Sequence, residues 1–193
     1  DINNELVEEI NFIEQLQNAK SKEQAFRKLV STYKERLYWH IRKLVGTHEN
    51  ADDVLQNTFV RVYKSLANFK QQSSLHTWMY KIAYNESMRF LEKEKKKTFS
   101  SLQDVSDKFL GDLQDDIYFD GDEVQLKLQT VLSKLPENQK KVFDMKYYDN
   151  LKFREIANIL NTKEGTVKTH YYGAVKYIES NINKVTYIEK IKA

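Results

Sequence analysis

The chain has no cysteine, one proline and five glycines among its 193 residues. Without cysteine it forms no disulfide and offers no thiolate to a metal, which fits a reducing compartment and predicts a cytoplasmic protein. No apolar run is long enough to span a bilayer, so no membrane insertion is expected, and no signal-peptide pattern opens the chain. Its histidines, His40, His48, His76 and His170, stand in no metal-ligand or nucleophile motif. A Gly-rich phosphate loop and a nucleophile elbow are both missing. No catalytic residue, metal or cofactor is therefore expected. Excess charge is also missing: the formal net charge is only +3. So small an excess excludes nucleic-acid binding by bulk charge alone.

What is present is helix-forming sequence. Leu, Glu, Lys, Gln and Ala fill segments with helical spacing of apolar residues, which predicts an all-α fold. Leu6, Ile10, Ile13 and Leu16 mark a weak first helix in an N-terminal extension, 1–21. A larger helical domain follows over 22–97. Ser21-Lys-Glu-Gln24 has the form of a capping box and opens its first helix, with Phe26, Leu29, Val30, Tyr33, Leu37, Ile41 and Leu44 on the apolar face. Gly46 ends it. Asn50-Ala-Asp-Asp53 begins the next helix, whose core stripe is Val54, Leu55, Phe59, Val62 and Leu66. A polar loop, Asn68 to Ser74, leads to a last helix from Leu75 to about Lys95.

From Thr98 the chain turns acidic and loses its periodicity. Asp104, Asp107, Asp112, Asp115, Asp116, Asp120, Asp122 and Glu123 stand against a single cation, Lys108. The segment 98–121 reads as a flexible acidic linker. Periodicity resumes at Val124, giving a second small helical domain over 122–183 and a tail over 184–193.

The second domain carries the most informative stretch, Leu151 to His170. Phe153, Ile156, Ile159 and Leu160 face a core. Ala157 is small where two helices approach, and Asn161 suits the left-handed turn that ends a helix. Thr162 is positioned to cap the next helix, with Val167 pinning it. Thr166, Lys168, Thr169, His170 and Tyr172 then point outward. The pattern is that of a helix-turn-helix whose second helix enters the major groove; a helical hairpin with a merely solvated polar face is the plainer alternative. A second constellation lies in the first domain, where Trp78, Tyr80 and Tyr84 alternate with Lys81, Asn85 and Arg89. Rings that stack on bases beside cations that hold phosphates suit unpaired nucleic acid, although a lone Trp or Tyr in a helical bundle is commonly core.

Together these segments resemble the extracytoplasmic-function (ECF) group of sigma-70 family factors of bacterial RNA polymerase. Asn50 to Tyr63 resembles that family's polymerase-binding helix. Phe69 to Lys97 resembles its promoter-melting region, so 22–97 corresponds to sigma region two. Leu132 to Val142 and the helix-turn-helix resemble region four, which reads the upstream promoter element. The resemblance implies that Asp53, Gln56, Asn57 and Tyr63 dock on core polymerase. It implies that Phe69, Lys70, Ser73 and Ser74 capture a flipped base of the downstream element, and that Trp78, Lys81 and Asn85 face the melting junction. Thr166, Lys168, Thr169, His170 and Tyr172 are implied as upstream-element contacts. The implied partners are core RNA polymerase, promoter DNA as duplex and melted strand, and an anti-sigma factor. An ordinary DNA-binding regulator would account for the second domain, but not for the docking helix or the Trp-bearing segment.

Overall fold

The computed structural model describes residues 2–98, 102–113, 116 and 121–192. Among them are nine α-helices, with a single 3-10 turn at Leu66–Asn68. The first four helices, α1 (Ile2–Gln17), α2 (Lys22–Val45), α3 (His48–Ser65) and α4 (Leu75–Thr98), form the first unit. A short helix, α5 (Leu102–Asp112), follows in the acidic segment. The second unit comprises α6 (Glu123–Leu132), α7 (Glu137–Tyr147), α8 (Phe153–Leu160) and α9 (Glu164–Lys192).

Local signals set most helix ends. Gly46 has φ 95° and returns its N–H to the Arg42 carbonyl, so α2 stops there. Asn161 sits in the left-handed region, φ 52° and ψ 51°, and closes α8. Asp122 caps α6 by accepting from the Gln125 N–H. Three expected starts need correction. Ser21 precedes α2 but makes no side-chain cap; its hydroxyl instead donates to the Gln15 carbonyl across the α1–α2 turn. The third helix begins at His48, with Thr47 as its cap, ahead of the expected Asn50. Thr162 does not cap α9, because the first carbonyl of that helix to accept a bond is that of Lys163, from Val167 N–H.

Leu29, Leu37 and Ile41 of α2 are buried with Val54, Leu55, Phe59 and Val62 of α3 and Met79, Tyr80 and Ala83 of α4. α1 is part of this unit, sealing it with Ile13 and Leu16. Leu6 and Ile10, expected on the same apolar face, remain exposed. The two units then share one core. Leu37, Ile41, Val45 and Tyr80 of the first cluster with Val142, Met145, Leu151, Ile156 and Val167 of the second. Each large aliphatic side chain so buried contributes roughly 1.5–3 kcal/mol. A buried pair, His40 Nδ1 with Asp149 Oδ2 at 2.7 Å, crosses the same boundary.

The acidic segment holds more order than its composition predicts. α5 lies against α2, burying Phe109 and Leu113. Beyond it, Asp116 enters the protein and accepts from Arg42 Nε at 2.9 Å, with both side chains fully buried. The Tyr38 hydroxyl donates to the same carboxylate oxygen. Asp115 and Asp120 of the expected linker lie outside the described residues. In the expected tail, α9 runs on to Lys192.

Candidate nucleic-acid and polymerase interface

The docking candidates occupy the solvent face of α3. Asp53, Gln56 and Asn57 are exposed, as is Val60, while Ala51, Val54, Leu55 and Thr58 turn inward. Gln56 leans back on Asp52, Nε2 to Oδ2, at 3.4 Å, a contact that a partner can displace. Tyr63 is less available. It is half-buried, its ring edge-on to Phe26 at 4.9 Å with the Lys22 ammonium 3.9 Å above it.

The loop after α3 is built on Phe69, whose ring is buried and lies 4.6 Å from that of Trp78. Gln71 takes a left-handed φ of 55°, which turns the chain back toward α4. Ser74 caps α4: its hydroxyl accepts from Thr77 N–H at 3.1 Å and donates to the Thr77 hydroxyl. Between loop and helix lies a concave pocket of about 230 Å³, lined by Lys70, Ser73, Trp78 and Lys81 among others. Trp78 is thus half-buried, with its inner face packed on Phe69 and part of its ring on the pocket wall. Asn85 and Lys81 are exposed one turn apart on α4.

The rest of the aromatic constellation has structural work. Tyr80 is fully buried, and burial holds its hydroxyl well above the ordinary range. Tyr84 accepts a bond from Lys141 of α7 at 3.1 Å. Burial acts to lower the Lys141 ammonium, but bonds to Glu137 and Tyr84 outweigh it and hold the pKa above its usual value. Arg89 pairs with Glu86 at 2.6 Å, and Arg61 contacts the same carboxylate.

Sequence reasoning did not foresee that α8 covers the start of α4. The Thr77 hydroxyl donates to Glu155 Oε1 at 2.9 Å, and Lys81 Nζ donates to Asn158 Oδ1 at 2.8 Å. Glu155 is itself fixed, since its other oxygen accepts from Lys152 N–H at 2.6 Å. The loop pocket therefore has Asn158 on its rim. No pattern local to either helix signals this contact, because it joins residues 77 and 78 positions apart.

At the other reading surface, the start of α9 projects outward. Thr166, Lys168 and Thr169 are exposed, and Tyr172 is 61% exposed. Lys168 pairs loosely with Glu164 at 3.3 Å, and the Thr169 hydroxyl donates to its own helix at Gly165. His170 is half-buried and presents one edge. Val167 and Ala174 anchor the inner face, and Gly173 admits the Gln139 side chain at close range. The arrangement is a helix-turn-helix whose second helix has an exposed outer face, joined to a four-helix unit, with the loop pocket between α4 and Asn158 of α8. Among the described residues no cluster of His, Asp or Glu has metal-site geometry.

A helix-turn-helix unit packed on a second helical unit is the architecture of a transcription-initiation specificity factor. Comparison with known proteins agrees. Residues 29–97 match the model of sigma-70 region 2, and residues 125–178 match that of sigma-70, region 4. The ECF RNA polymerase sigma factor SigW of Bacillus subtilis strain 168 is 29% identical over 162 residues, covering 79% of this chain and 86% of SigW. The ECF RNA polymerase sigma-E factor of Escherichia coli K12 is 25% identical over 178 residues, covering 84% of this chain and 89% of that protein. Among solved structures, CnrH in complex with the cytosolic domain of CnrY superposes with a TM-score of 0.63 at 17% identity, covering 90% of this chain and 97% of that one. RpoE from Bartonella quintana, in complex with the anti-sigma factor NepR, gives 0.63 at 18% identity, covering 83% and 97%. The chain belongs to the ECF group of the sigma-70 family. It directs RNA polymerase to specific promoters, and its family is a specificity subunit of RNA polymerase rather than a catalyst. No helix of the described residues is long and apolar enough to cross a membrane.

Proposed function

We propose that three separate surfaces of this chain divide the work of initiation, and that the chain itself catalyses no reaction. Asp53, Gln56 and Asn57 on α3, with the outer edge of Tyr63, dock on core polymerase. Thr166, Lys168, Thr169, His170 and Tyr172 read the upstream element in the major groove. Phe69 shapes the loop, Lys70 and Ser73 line the place where an unstacked base of the downstream element is held, and Ser74 closes that loop at the start of α4 and completes the capture segment. Trp78, Lys81 and Asn85 meet the junction where the strands part. The site of action is the cytoplasm. An anti-sigma factor is a further partner, in keeping with the NepR complex of the RpoE relative.

The observation that carries this reading is the 230 Å³ pocket between loop and α4, with a ring, two ammonium groups and a serine hydroxyl on its walls. Stacking on one base is worth roughly 1–3 kcal/mol, so losing it lowers the equilibrium constant for opening by about five- to a hundredfold. The test uses holoenzyme on linear promoter DNA, with permanganate marking unpaired thymines. Trp78→Ala, Lys81→Ala and Asn85→Ala should bind core polymerase normally and form closed complexes, yet open DNA poorly. A template with a pre-opened bubble should partly rescue them. Normal opening by all three folded variants would remove the melting role from α4.

A further inference from the structure

The loop that shapes the pocket is held from outside, by a helix that lies before the matched region 2 segment. Region 2 similarity begins at residue 29, and α1 ends at Gln17. The Gln17 side-chain amide donates to two carbonyls, Leu66 at 3.0 Å and Phe69 at 2.9 Å. These carbonyls flank the 3-10 turn from which the loop departs. Eight residues earlier in α1, Glu9 Oε1 accepts from the Leu75 N–H at 2.8 Å. Leu75 is the first residue of α4, and its N–H has no partner within that helix. α1 therefore grips the loop at its entrance and at its exit. Both grips use polar atoms, and Ile13 and Leu16 between them are buried and keep α1 in register.

We infer that Gln17 and Glu9 are positioning residues for downstream-element recognition, so that α1 belongs to the promoter-reading apparatus. The inference rests on the assignment of the 69–74 loop as the base-capturing segment. Within the loop, the described bonds are few: Ser73 to the Ser74 carbonyl, and the Ser74–Thr77 cap. A segment so lightly tied, with Gln71 in a left-handed conformation, keeps one shape only if its ends are fixed. Once the amide of Gln17 is gone, the Leu66 and Phe69 carbonyls lose a shared donor and the path of Phe69 loosens. Since Phe69 packs on Trp78, the pocket wall moves with it. A pocket with a mobile wall still binds DNA but distinguishes bases poorly, because discrimination depends on placing donors and acceptors against one base edge.

The test is selection by holoenzyme from two DNA libraries. One is fork-junction DNA with a randomised single strand at the downstream element; the other is randomised in the upstream duplex. Gln17→Met keeps length and packing but removes the donor, and Glu9→Ala removes the acceptor. Glu9→Gln retains an acceptor oxygen and serves as the conservative rescue. Each lost hydrogen bond of ordinary net strength corresponds to about fivefold. Base enrichment at the downstream strand should therefore fall by about fivefold in Glu9→Ala, which loses one bond, and by up to about twenty-five-fold in Gln17→Met, which loses two. Upstream enrichment and core polymerase affinity should stay at wild-type values, and Glu9→Gln should restore downstream enrichment. A parallel fall in all three quantities would mean that α1 is only a scaffold and would overturn the inference. So would unchanged downstream enrichment in Gln17→Met and Glu9→Ala, provided Lys70→Ala or Ser74→Ala reduces it. If those two loop variants also leave enrichment unchanged, the loop assignment itself fails, and the role of α1 falls with it.

Discussion

Asp116 offers the sharpest test of how the acidic segment is held. Its carboxylate meets Arg42 at 2.9 Å with both side chains at 0% exposure, and it also accepts from the Tyr38 hydroxyl. Arg42 donates in addition to the Gly46 carbonyl and lies 5.1 Å from the Phe109 ring. Asp116→Ala removes the anion and strands a buried guanidinium, which costs about 3–5 kcal/mol if nothing else moves. Another route is open, because Asp116 lies on a segment between the units. If α5 and the residues after it detach, Arg42 reaches water. Detachment exposes Phe109 and Leu113, a loss of roughly 3–6 kcal/mol at about 1.5–3 kcal/mol each. It also returns conformational entropy, about 1–2 kcal/mol for each backbone residue released. That entropy offsets part of the exposure cost, so detachment competes with leaving Arg42 stranded. Asp116→Ala should therefore lower global stability by less than the stranded-charge figure, while amides of 102–113 lose most of their hydrogen-exchange protection. Exchange measured by mass spectrometry, alongside urea unfolding, separates the two. Arg42→Met combined with Asp116→Leu should recover most of the protection, since an apolar pair of similar volume replaces a buried ion pair at little cost. Wild-type protection and an unchanged urea midpoint in Asp116→Ala would refute the reasoning, because the buried pair would then contribute nothing.

The other predictions address the remaining surfaces. Asp53→Arg with Gln56→Ala should weaken core polymerase binding in a pull-down titration while leaving helical circular dichroism intact; unchanged affinity would remove α3 from the docking surface. Lys168→Ala should weaken upstream-element binding and reduce the slope of log affinity against log salt by about one. A wild-type slope would show that Lys168 touches no phosphate. Burial holds the His76 imidazole below its ordinary 6.5, and Arg36 lowers it further, against opposing pulls from Asp149 and Glu155. The unfolded chain then takes up a proton that the folded chain refuses, so this contribution is intact above pH 6.5 and is lost as pH falls below it. His76→Asn should flatten that part of the stability profile in urea titrations at neutral and mildly acidic pH, and identical slopes with and without His76 would contradict the assignment.

The features legible in the sequence were those whose cause is local. Gly46 and Asn161 end their helices because each adopts a left-handed backbone, which residue type alone signals. The inward stripe of α3 and the inner face of α8 follow from helical spacing. Illegible features have causes far away in the chain. Ser21 has capping chemistry, but the Gln15 carbonyl across the turn takes its hydroxyl. Asp116 looks like one more solvated acid in an acidic run, and partners as distant as Arg42 and Tyr38, 74 and 78 residues away, make it a buried one. α5 was hidden for the same reason, since its burial depends on Phe109 and Leu113 within a segment otherwise rich in charge and glycine. Gln17 and Glu9 carry no local pattern at all; their partners lie 49 to 66 residues on.

The contact between α4 and α8 sets the fold against the proposed function in a way that magnitudes help to define. Lys81 faces the melting junction on the proposed assignment, with Thr77 one turn before it, yet here Lys81 is bonded to Asn158 and Thr77 to Glu155. Those partners are a carboxylate and an amide oxygen, the same acceptor chemistry that phosphate and base edges present. DNA therefore does not add bonds to bare donors; it exchanges with bonds already made. Each such bond is worth about 0.5–1.5 kcal/mol net, or somewhat more where one partner is charged. The shared core of Ile41, Tyr80, Val142 and Ile156 lies behind them and makes separation of the whole units far costlier than the loss of two bonds. The docking face of α3 and the outer face of α9 are open in the same arrangement. On the proposed assignment, polymerase docking and duplex reading can thus precede any change between the units, whereas strand capture at α4 requires α8 to give way. A ligand shifts such an equilibrium only by its differential affinity for the two arrangements. On the same assignment, a polymerase that binds α3 in either arrangement helps opening only through additional contacts that exist when α8 has left α4.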